Sequence, residues 1–337
     1  MAAIADRDSS GQRSPRVSVV VPNYNYEKFL GERLQSILDQ TVKDFELIFL
    51  DDASPDGSVE YVRRTFGDRI DRIEVNAKNS GNPFIQWNRG VQMARGEYVW
   101  IAEADDYCAP VFLERMIAAL EQSPKIGLAY CMTVPVDIES RVLNAGFHLE
   151  YLADIGPEHW YRDFVANGQD EIHRYLSQKN TITNVSGVLF RRQAYLESGG
   201  AFEKLRMCGD WLTYLRVLRG WDVAFVSEPM NFHRQHPRKH THNSVLNLSY
   251  FREFLYVQRY VAEAASLTRE EKTRAFRRII GEWDRLTYGH DGRITVPRTF
   301  KLAGMIAATY HRPHELAVNV KHLIFNVRKS LRAKWAR

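Results

Sequence analysis

Cysteine is scarce in this sequence, and so are long apolar runs. The three cysteines, Cys108, Cys131 and Cys208, lie far apart and form no Cys-x-x-Cys pair, which argues against a zinc finger and against a disulfide framework. No stretch of about eighteen apolar residues is present, and residues 1–15 lack the apolar core of a signal peptide. We therefore expect a cytoplasmic protein with a disordered leader over residues 1–15 and no membrane-spanning helix.

Outside the C-terminal end the chain has no net excess of basic charge. The formal net charge is +5, but residues 321–337 alone carry six Lys or Arg and no acid. The remainder is close to neutral, so charge does not indicate binding to nucleic acid. Residues 316–337 place apolar side chains on one side of a helix and basic ones on the other. Such a helix suits peripheral contact with the inner face of a membrane, or packing on the rest of the chain.

A glycine-rich phosphate-binding loop is absent as well. The first predicted strand, 17–21, is followed by Pro22 and by the sequence Asn-Tyr-Asn-Tyr at 23–26. No Gly-x-Gly-x-x-Gly occurs there, which argues against the usual dinucleotide-binding fold. The same loop lacks the glycines and the basic residue typical of nucleotidyltransferases that make sugar nucleotides, so that class stays only as an alternative.

A strand–loop–helix unit repeats along the first third of the chain. Its predicted strands are the apolar runs at 17–21, 46–50, 72–75 and 99–102. Each run is followed by a polar loop and then by apolar residues at the spacing of a helix. This alternation predicts an α/β fold with a mostly parallel central sheet and helices on both faces. Ligands of such sheets bind beyond the carboxyl ends of the strands. The polar side chains at those ends are Tyr24, Asp52, Asn79 and Asp106.

Three carboxylates follow the fourth of these runs. Glu103, Asp105 and Asp106 lie within four residues, and acids this close repel one another unless a cation or hydrogen-bond donors compensate. Mg²⁺ and Mn²⁺ take oxygen ligands, and Mg²⁺ commonly binds one or two carboxylates together with substrate phosphates. The cluster therefore predicts a metal–diphosphate site. The alternative is an acidic turn that caps a helix beginning near Pro110.

Five segments, in this order, resemble the family 2 glycosyltransferases, the group with the GT-A fold that transfers sugars from nucleoside diphosphates. They are Val-Ser-Val-Val-Val-Pro-Asn-Tyr-Asn at 17–25, Phe-Glu-Leu-Ile-Phe-Leu-Asp-Asp-Ala-Ser at 45–54, Asn-Arg-Gly-Val-Gln-Met-Ala-Arg-Gly-Glu-Tyr at 88–98, Glu-Ala-Asp-Asp at 103–106 and Gly-Asp at 209–210. The resemblance implies a Rossmann-like GT-A catalytic domain. Its implied parts are a nucleotide-binding half at 16–131 and an acceptor-binding half at 132–245. Amphipathic patterns in residues 250–287 and from residue 316 onward predict a helical C-terminal region at 246–337.

The resemblance also implies roles in the first half of the chain. Pro22 and Tyr24 would border the nucleotide base, and Asp52 would accept a hydrogen bond from a pyrimidine N–H. Asn79 and Arg89 would lie near the base and the ribose. The residues themselves leave surface packing open for Tyr24 and turn capping open for Asp52. The implied donor is a UDP- or dTDP-sugar.

At the acidic cluster the family has a DXD-like motif, in which this chain has Glu103 at the first position. Asp105 would contact the ribose or share the metal, and Asp106 would be the principal ligand of Mn²⁺ or Mg²⁺. Glu103, longer by one methylene, would act from behind the metal ligands. Arg234 and His236 resemble an Arg-x-His segment that covers the donor diphosphate, with His236 as a further metal ligand.

Asp210 stands where the family has its catalytic base. An inverting transfer needs one carboxylate that takes the proton of the acceptor hydroxyl as its oxygen attacks the anomeric carbon; a helix N-cap is the alternative for Asp210. The sequence thus predicts an inverting, metal-dependent hexosyltransferase of surface-polysaccharide assembly, acting on a glycan or a lipid-linked acceptor. A non-catalytic module that binds a nucleotide sugar or glycan, and a sugar-nucleotide nucleotidyltransferase, are the alternatives.

Overall fold

The computed structural model describes residues 14–235, 248–288 and 296–310. Among them, residues 14–176 and 180–235 form one compact unit, and residues 177–179, 248–288 and 296–310 form a second. Most of the predicted leader, the predicted domain boundary at 245 and the basic segment 316–337 lie outside the described residues. The division of the first unit into nucleotide and acceptor halves stays a prediction.

A nine-stranded sheet forms the centre of the first unit. Its strands are β1 (Val17–Asn23), β2 (Phe45–Asp51), β3 (Arg72–Val75), β4 (Tyr98–Ile101), β5 (Tyr107–Cys108), β6 (Ile126–Val136), β7 (Phe164–Ala166), β8 (Val188–Arg191) and β9 (Asp222–Arg234). They follow the order β3-β2-β1-β4-β8-β6-β9-β5, and β7 pairs with β9. The predicted parallel sheet is confirmed for β1 to β4. Beyond β4 the sheet is mixed, because β8 is antiparallel to both of its neighbours.

Helices cover both faces of this sheet. They are α1 (Glu27–Leu38), α2 (Ser58–Phe66), α3 (Pro83–Met93), α4 (Phe112–Leu120), α5 (Phe147–Leu152), α6 (Gly168–Glu171), α7 (Arg192–Glu197) and α8 (Gly209–Leu218). All seven residues of β1 are buried, which explains why it reads as a continuous apolar run. Val19 and Val21 share a core cluster with Leu30 and Leu34 of α1. The opposite face of β1 packs against α3.

Two strands are longer than the sequence indicates. The sequence ends the first strand at Pro22, but β1 continues to Asn23, and Pro22 pairs in register with Leu50 of β2. The apolar residues 223–226 belong to the start of the 13-residue β9, which pairs with β6 through several register shifts. These bulges and the polar residues Ser227 and Glu228 break the apolar pattern, so that only its first part is visible in the sequence.

The second unit is helical, as the sequence predicts for the C-terminal region. Its described helices are α9 (Ser249–Ala264), α10 (Arg269–Tyr288) and α11 (Val296–Tyr310). The side chain of Gln258 on α9 donates to the carbonyl of Ala275 on α10 at 3.1 Å and accepts a hydrogen bond from the hydroxyl of Tyr310 on α11. Across both units, no described helix is long and apolar enough to cross a membrane.

Candidate active site

Asp106 is the most deeply buried acid of the loop that follows β4, which we call the acidic loop (residues 102–106). Its side chain is 1% exposed. One carboxylate oxygen, Oδ1, accepts from the backbone N–H of Arg234 at 3.0 Å, and Oδ2 accepts from the Ser186 hydroxyl at 2.7 Å and the Asn184 amide at 3.0 Å. The alternative of an acidic capping turn is wrong, because α4 has Val111 at its N-cap with no side-chain cap.

Glu103 points to a different partner. Its carboxylate accepts from the indole N–H of Trp87 at 2.7 Å, while its backbone N–H donates to the Ser186 hydroxyl at 3.1 Å. Burial is the main cause that raises the pKa of Glu103 to about 8, and the negative charge of Asp105 is the second cause. Glu103 is therefore held beside α3 and is linked to Asp106 through Ser186, a position that fits the role predicted for it behind the metal ligands.

Arg234, the last residue of β9, holds the acidic loop in place; β9 pairs with β5, the strand that follows this loop. Its Nε donates to the carbonyl of Asp105 at 2.8 Å, and its Nη1 donates to the Asp137 carbonyl at 2.9 Å and the Ser140 hydroxyl at 3.0 Å. Its Nη2 pairs with the carboxylate of Glu32 on α1. The guanidinium is thus engaged within the protein, and its contact with a diphosphate stays a prediction. His236 lies outside the described residues.

Asp52 organises the loop between β3 and α3. Its buried carboxylate accepts from the Asn76 amide at 2.6 Å, the Gln86 amide at 2.9 Å, and the Ser80 backbone N–H and hydroxyl at 2.9 and 2.7 Å. Turn capping of its own loop, the alternative for this residue, belongs instead to Asp51, whose Oδ1 accepts from the Ser54 N–H at 2.8 Å. A pyrimidine N–H would have to share Asp52 with these donors.

The other residues predicted to contact nucleotide lie around the same sheet edge. Tyr24 follows β1 and is 43% exposed, so its ring faces solvent. Pro22 is buried within β1. Asn79 accepts from the Gly81 N–H at 2.5 Å, a turn in which Gly81 has φ +68°. Arg89 on α3 pairs with Glu74 of β3 at 2.8 Å. Of these residues, Tyr24 is the one that leaves a large side-chain surface open.

Asp210 lies in the first turn of α8. The N-cap of this helix is Cys208, so the capping alternative for Asp210 is wrong. Its Oδ2 accepts from the Asn180 amide at 3.0 Å. The preceding residue is glycine for a steric reason, because a Cβ at Gly209 would lie 2.3 Å from the ring of Phe84 on α3. The bare backbone lets α8 start against α3, which fixes the position of Asp210.

One segment contacts both Asp106 and Asp210, and sequence reasoning assigned no role to it. In residues 180–186, here called the linking segment, Asn180 donates to Asp210 and Asn184 donates to Asp106, each at 3.0 Å. The hydroxyls of Thr181 and Thr183 between them are buried without a hydrogen-bond partner in the described part of the chain. Two asparagines four residues apart were the available signal, but nothing in the sequence said which acids they reach.

The acidic loop offers few ligands for a metal ion by itself. No group of three or more His, Cys, Asp or Glu side chains within residues 14–235, 248–288 and 296–310 is arranged to hold one. Asp106 accepts three hydrogen bonds in the described residues, and a carboxylate has about four lone-pair positions. One position is left, which fits a cation that takes one or two carboxylates and completes its shell with a diphosphate.

Comparison with known proteins identifies the family of the chain. The family described as glycosyl transferase family 2 matches residues 18–196, more than half of the 337-residue chain. Among curated relatives, the uncharacterized glycosyltransferase EpsJ of Bacillus subtilis is 36% identical over 109 residues, 32% of this chain and 31% of that protein. The chondroitin synthase of Pasteurella multocida is 26% identical over 141 residues, 42% of this chain and 14% of that protein. The matched region thus spans a third or less of these relatives.

Solved structures share the fold. Residues 1–349 of Staphylococcus aureus TarS in complex with UDP-GlcNAc superpose with a TM-score of 0.66 at 16% identity, over 94% of this chain and 92% of that one. The Pyrobaculum calidifontis mannosyltransferase PcManGT in complex with GDP-Man and Mn²⁺ gives a TM-score of 0.53 at 17% identity, over 89% and 87%. The predicted GT-A fold is confirmed, and the chain belongs to glycosyl transferase family 2.

Proposed function

We propose that this protein is an inverting, metal-assisted hexosyltransferase. It moves a sugar from a UDP- or dTDP-sugar to a glycan or a lipid-linked saccharide in the assembly of a surface polysaccharide. The coarse part of this proposal, a sugar-transferring enzyme, follows from family membership. The finer parts concern the donor, the cation, the base and the acceptor, and they rest on the arrangement of Asp52, Asp106 and Asp210.

The observation that carries the proposal is the attachment of Asp106 and Asp210 to one short segment. Asn180 and Asn184 hold the two carboxylates, and four residue steps of extended chain span at most about 14 Å. Both carboxylates therefore lie close enough together to face one donor substrate. The segment thereby supports a division of labour between the two acids.

In the proposed reaction Asp210 is the general base. The acceptor hydroxyl gives its proton to the carboxylate of Asp210, and its oxygen forms a bond to the anomeric carbon of the donor. The bond between that carbon and the diphosphate oxygen breaks, and the electron pair leaves with the nucleoside diphosphate. Because attack and departure occur on opposite faces of the carbon, the anomeric configuration inverts. Asn180 keeps the carboxylate of Asp210 oriented toward the acceptor.

Asp106, with Asp105 beside it, would hold the divalent cation. When bound, Mn²⁺ or Mg²⁺ neutralises charge on the diphosphate and so makes it a better leaving group. The residues of this chain contribute the anchoring of the acidic loop through Ser186, Asn184 and the backbone of Arg234.

The choice of a pyrimidine donor rests on the loop that Asp52 organises and on the open ring of Tyr24. An exposed aromatic face and a buried carboxylate at the same edge suit a stacked uracil or thymine with its ring N–H turned inward. The TarS structure bound to UDP-GlcNAc and the chondroitin synthase relative support a UDP-sugar and a polysaccharide product. Pro22, Asn79 and Arg89 are proposed to shape this pocket from below.

A panel of UDP-, dTDP- and GDP-sugars, tested for binding and for hydrolysis with and without Mn²⁺, examines the proposal. We expect one pyrimidine nucleotide sugar to bind with Mn²⁺ and to be hydrolysed slowly to a sugar of inverted configuration, as followed by proton NMR. Retained configuration contradicts the single-base mechanism. Absence of binding to every nucleotide sugar favours a glycan-binding module instead.

Membrane contact is proposed for residues 316–337, which lie outside the described residues. A cytoplasmic enzyme that uses a lipid-linked acceptor gains from such contact at the inner face of the membrane. Sedimentation with anionic vesicles should be lost when residues 316–337 are deleted. If the truncated chain sediments like the parent, the peripheral contact is wrong.

A further inference from the structure

Arg33 on α1 is fully buried, and within the described part of the chain its guanidinium has no oxygen acceptor. Its side chain has 0% exposure, and Nε, Nη1 and Nη2 find no acceptor among the described residues. Buried guanidinium groups are normally paired, because removing the charge from water carries a large desolvation penalty. An arginine without a hydrogen bond in the centre of a domain therefore needs an electrostatic reason.

The guanidinium lies against the strand that leads into the acidic loop. Its central carbon is 4.7 Å from the centroid of the Trp100 ring, in β4. The indole N–H of Trp100 donates to the carbonyl of Ser186 at 2.8 Å, and Ser186 in turn holds Asp106 and the backbone of Glu103. Arg33 is thus separated from the anchoring point of the acidic loop by one aromatic ring.

The groups that act electrostatically on Arg33 lie in the acidic loop and at Cys108, two residues after it. Burial lowers the pKa of Arg33, whereas the Cys108 thiol and the carboxylates of Asp106, Asp105 and Glu103 oppose that decrease. In the same way, Arg33 opposes the increase in the pKa of Glu103. Cation–π contact with Trp100 alone stabilises a fully buried charge only weakly. The Cys108 thiol beside the guanidinium is neutral, because burial raises its pKa, and the raised pKa of Glu103 keeps most of that group protonated at neutral pH. Attraction to the carboxylates of Asp105 and Asp106 is therefore the main remaining stabilising interaction.

We propose that Arg33 is a buried counter-cation of the acidic loop. It is a positioning residue that acts through space on Asp105 and Asp106, and it limits how strongly the loop attracts a divalent cation. The effect of Arg33 on cation binding rests on the proposed function of the acidic loop. The compensation of the acids by the charge of Arg33 does not depend on that function.

Replacement by methionine removes the charge and keeps an unbranched apolar side chain. Without divalent cation, Asp105 and Asp106 of Arg33→Met lose one nearby positive charge, and the melting temperature should fall by on the order of 5 °C. With UDP present, Mn²⁺ should bind about tenfold more tightly than to the parent, because one nearby positive charge no longer repels it. Adding Mn²⁺ and UDP should therefore stabilise the variant more than the parent.

Two variants serve as controls. Arg33→Lys keeps the charge and should retain the Mn²⁺ affinity of the parent. Arg69→Met removes another arginine that stacks on a ring, 4.8 Å from the centroid of Phe66, but Arg69 is exposed and lies in the turn after α2. It should change neither the melting temperature nor the Mn²⁺ affinity.

The direction of the melting shift decides the proposal without any ligand. If Arg33→Met melts at or above the parent, the arginine was an uncompensated charge and the proposal is overturned. If Arg33→Met does not fold, the double variant with Asp105→Asn decides: recovered folding supports compensation, and continued failure overturns it. If Arg33→Met binds Mn²⁺ with the affinity of the parent, the proposed effect of Arg33 on cation binding is overturned. If the parent itself binds no Mn²⁺ in the presence of UDP, the proposed function is contradicted, and the melting temperatures alone decide whether Arg33 compensates the acids.

Discussion

A substitution at Asn180 tests the role of Asp210 as the proposed base without removing the Asp210 carboxylate. Its amide donates to Asp210, so Asn180→Ala leaves the carboxylate in place but less well oriented. We expect turnover of the donor to fall about tenfold, the usual scale for a misplaced catalytic group, while the dissociation constant of the nucleotide sugar is unchanged. Steady-state kinetics and calorimetry measure the two quantities.

Asn184 is the matched control at the other end of the linking segment. It donates to Asp106, and Asn184→Ala should weaken binding of the donor with Mn²⁺ more than it lowers turnover. If Asn180→Ala weakens donor binding as much as Asn184→Ala does, the two acids do not have separate roles.

His148 makes stability depend on pH. Its ring lies 5.8 Å from the ring of Phe225 at 17°, its Nδ1 accepts from the Thr133 N–H at 3.4 Å, and burial lowers its pKa to about 4. An unfolded histidine has a pKa of about 6.5, so the unfolded chain binds the extra proton between these values. Stability should therefore fall as pH decreases from 6.5 toward 4, by about 3 kcal/mol over the full window.

His148→Phe tests this because phenylalanine cannot take up a proton. Chemical denaturation of parent and variant at pH 7, 5.5 and 4.5 measures the free energy of unfolding. The difference between the two proteins should change with pH in favour of the variant at low pH. A difference that is constant over this range shows that His148 does not titrate in the expected window.

At the scale of elements, the contact between α3 and α8 sets the position of Asp210. A Cβ at Gly209 would lie 2.3 Å from the Phe84 ring, whereas Gly220, just after α8, has nothing within 4 Å. Gly209→Ala should force the two helices apart, destabilise the protein by about 1–3 kcal/mol and lower turnover. Gly220→Ala is the matched control and should leave both quantities near those of the parent. Equal effects of the two changes would contradict this packing argument.

The elements that sequence reasoning predicted well are those whose apolar pattern comes from burial inside the sheet. β1 and β2 are apolar along almost their whole length because both of their faces are covered, and the polar residues after them then stand out. Asp52 and Asp106 could be selected in this way, whereas Asp210 was selected only through the resemblance to the family. The linking segment could not, because Asn180 and Asn184 acquire their partners only when β8 and α8 are brought to the acidic loop.

Arg33 was missed although the sequence contained a signal. It lies four residues from both Phe29 and Ile37, a spacing that places all three on one side of α1. Both apolar residues are buried, so an arginine between them interrupts an apolar stripe. No role was predicted for Arg33, because an arginine on a helix is ordinarily exposed to solvent.

At the scale of the whole molecule, the cation and the nucleotide should bind together. Asp106 has one lone-pair position left after its three hydrogen bonds, so most ligands of the cation must come from the diphosphate and water. We expect Mn²⁺ to bind at least about tenfold more tightly with UDP than without it, as measured by electron paramagnetic resonance of free Mn²⁺. Equal affinity in both conditions would indicate a metal site made by the protein alone.

The most direct test of separate roles for the two acids compares Asp106→Ala with Asp210→Asn. Donor binding with Mn²⁺ is measured by calorimetry, and transfer or hydrolysis is measured on the same preparations. We expect Asp106→Ala to lose donor binding, and Asp210→Asn to bind the donor like the parent while its turnover falls by about 10²–10⁴-fold. If Asp210→Asn turns over at the rate of the parent, Asp210 is not the base and the proposed mechanism is wrong.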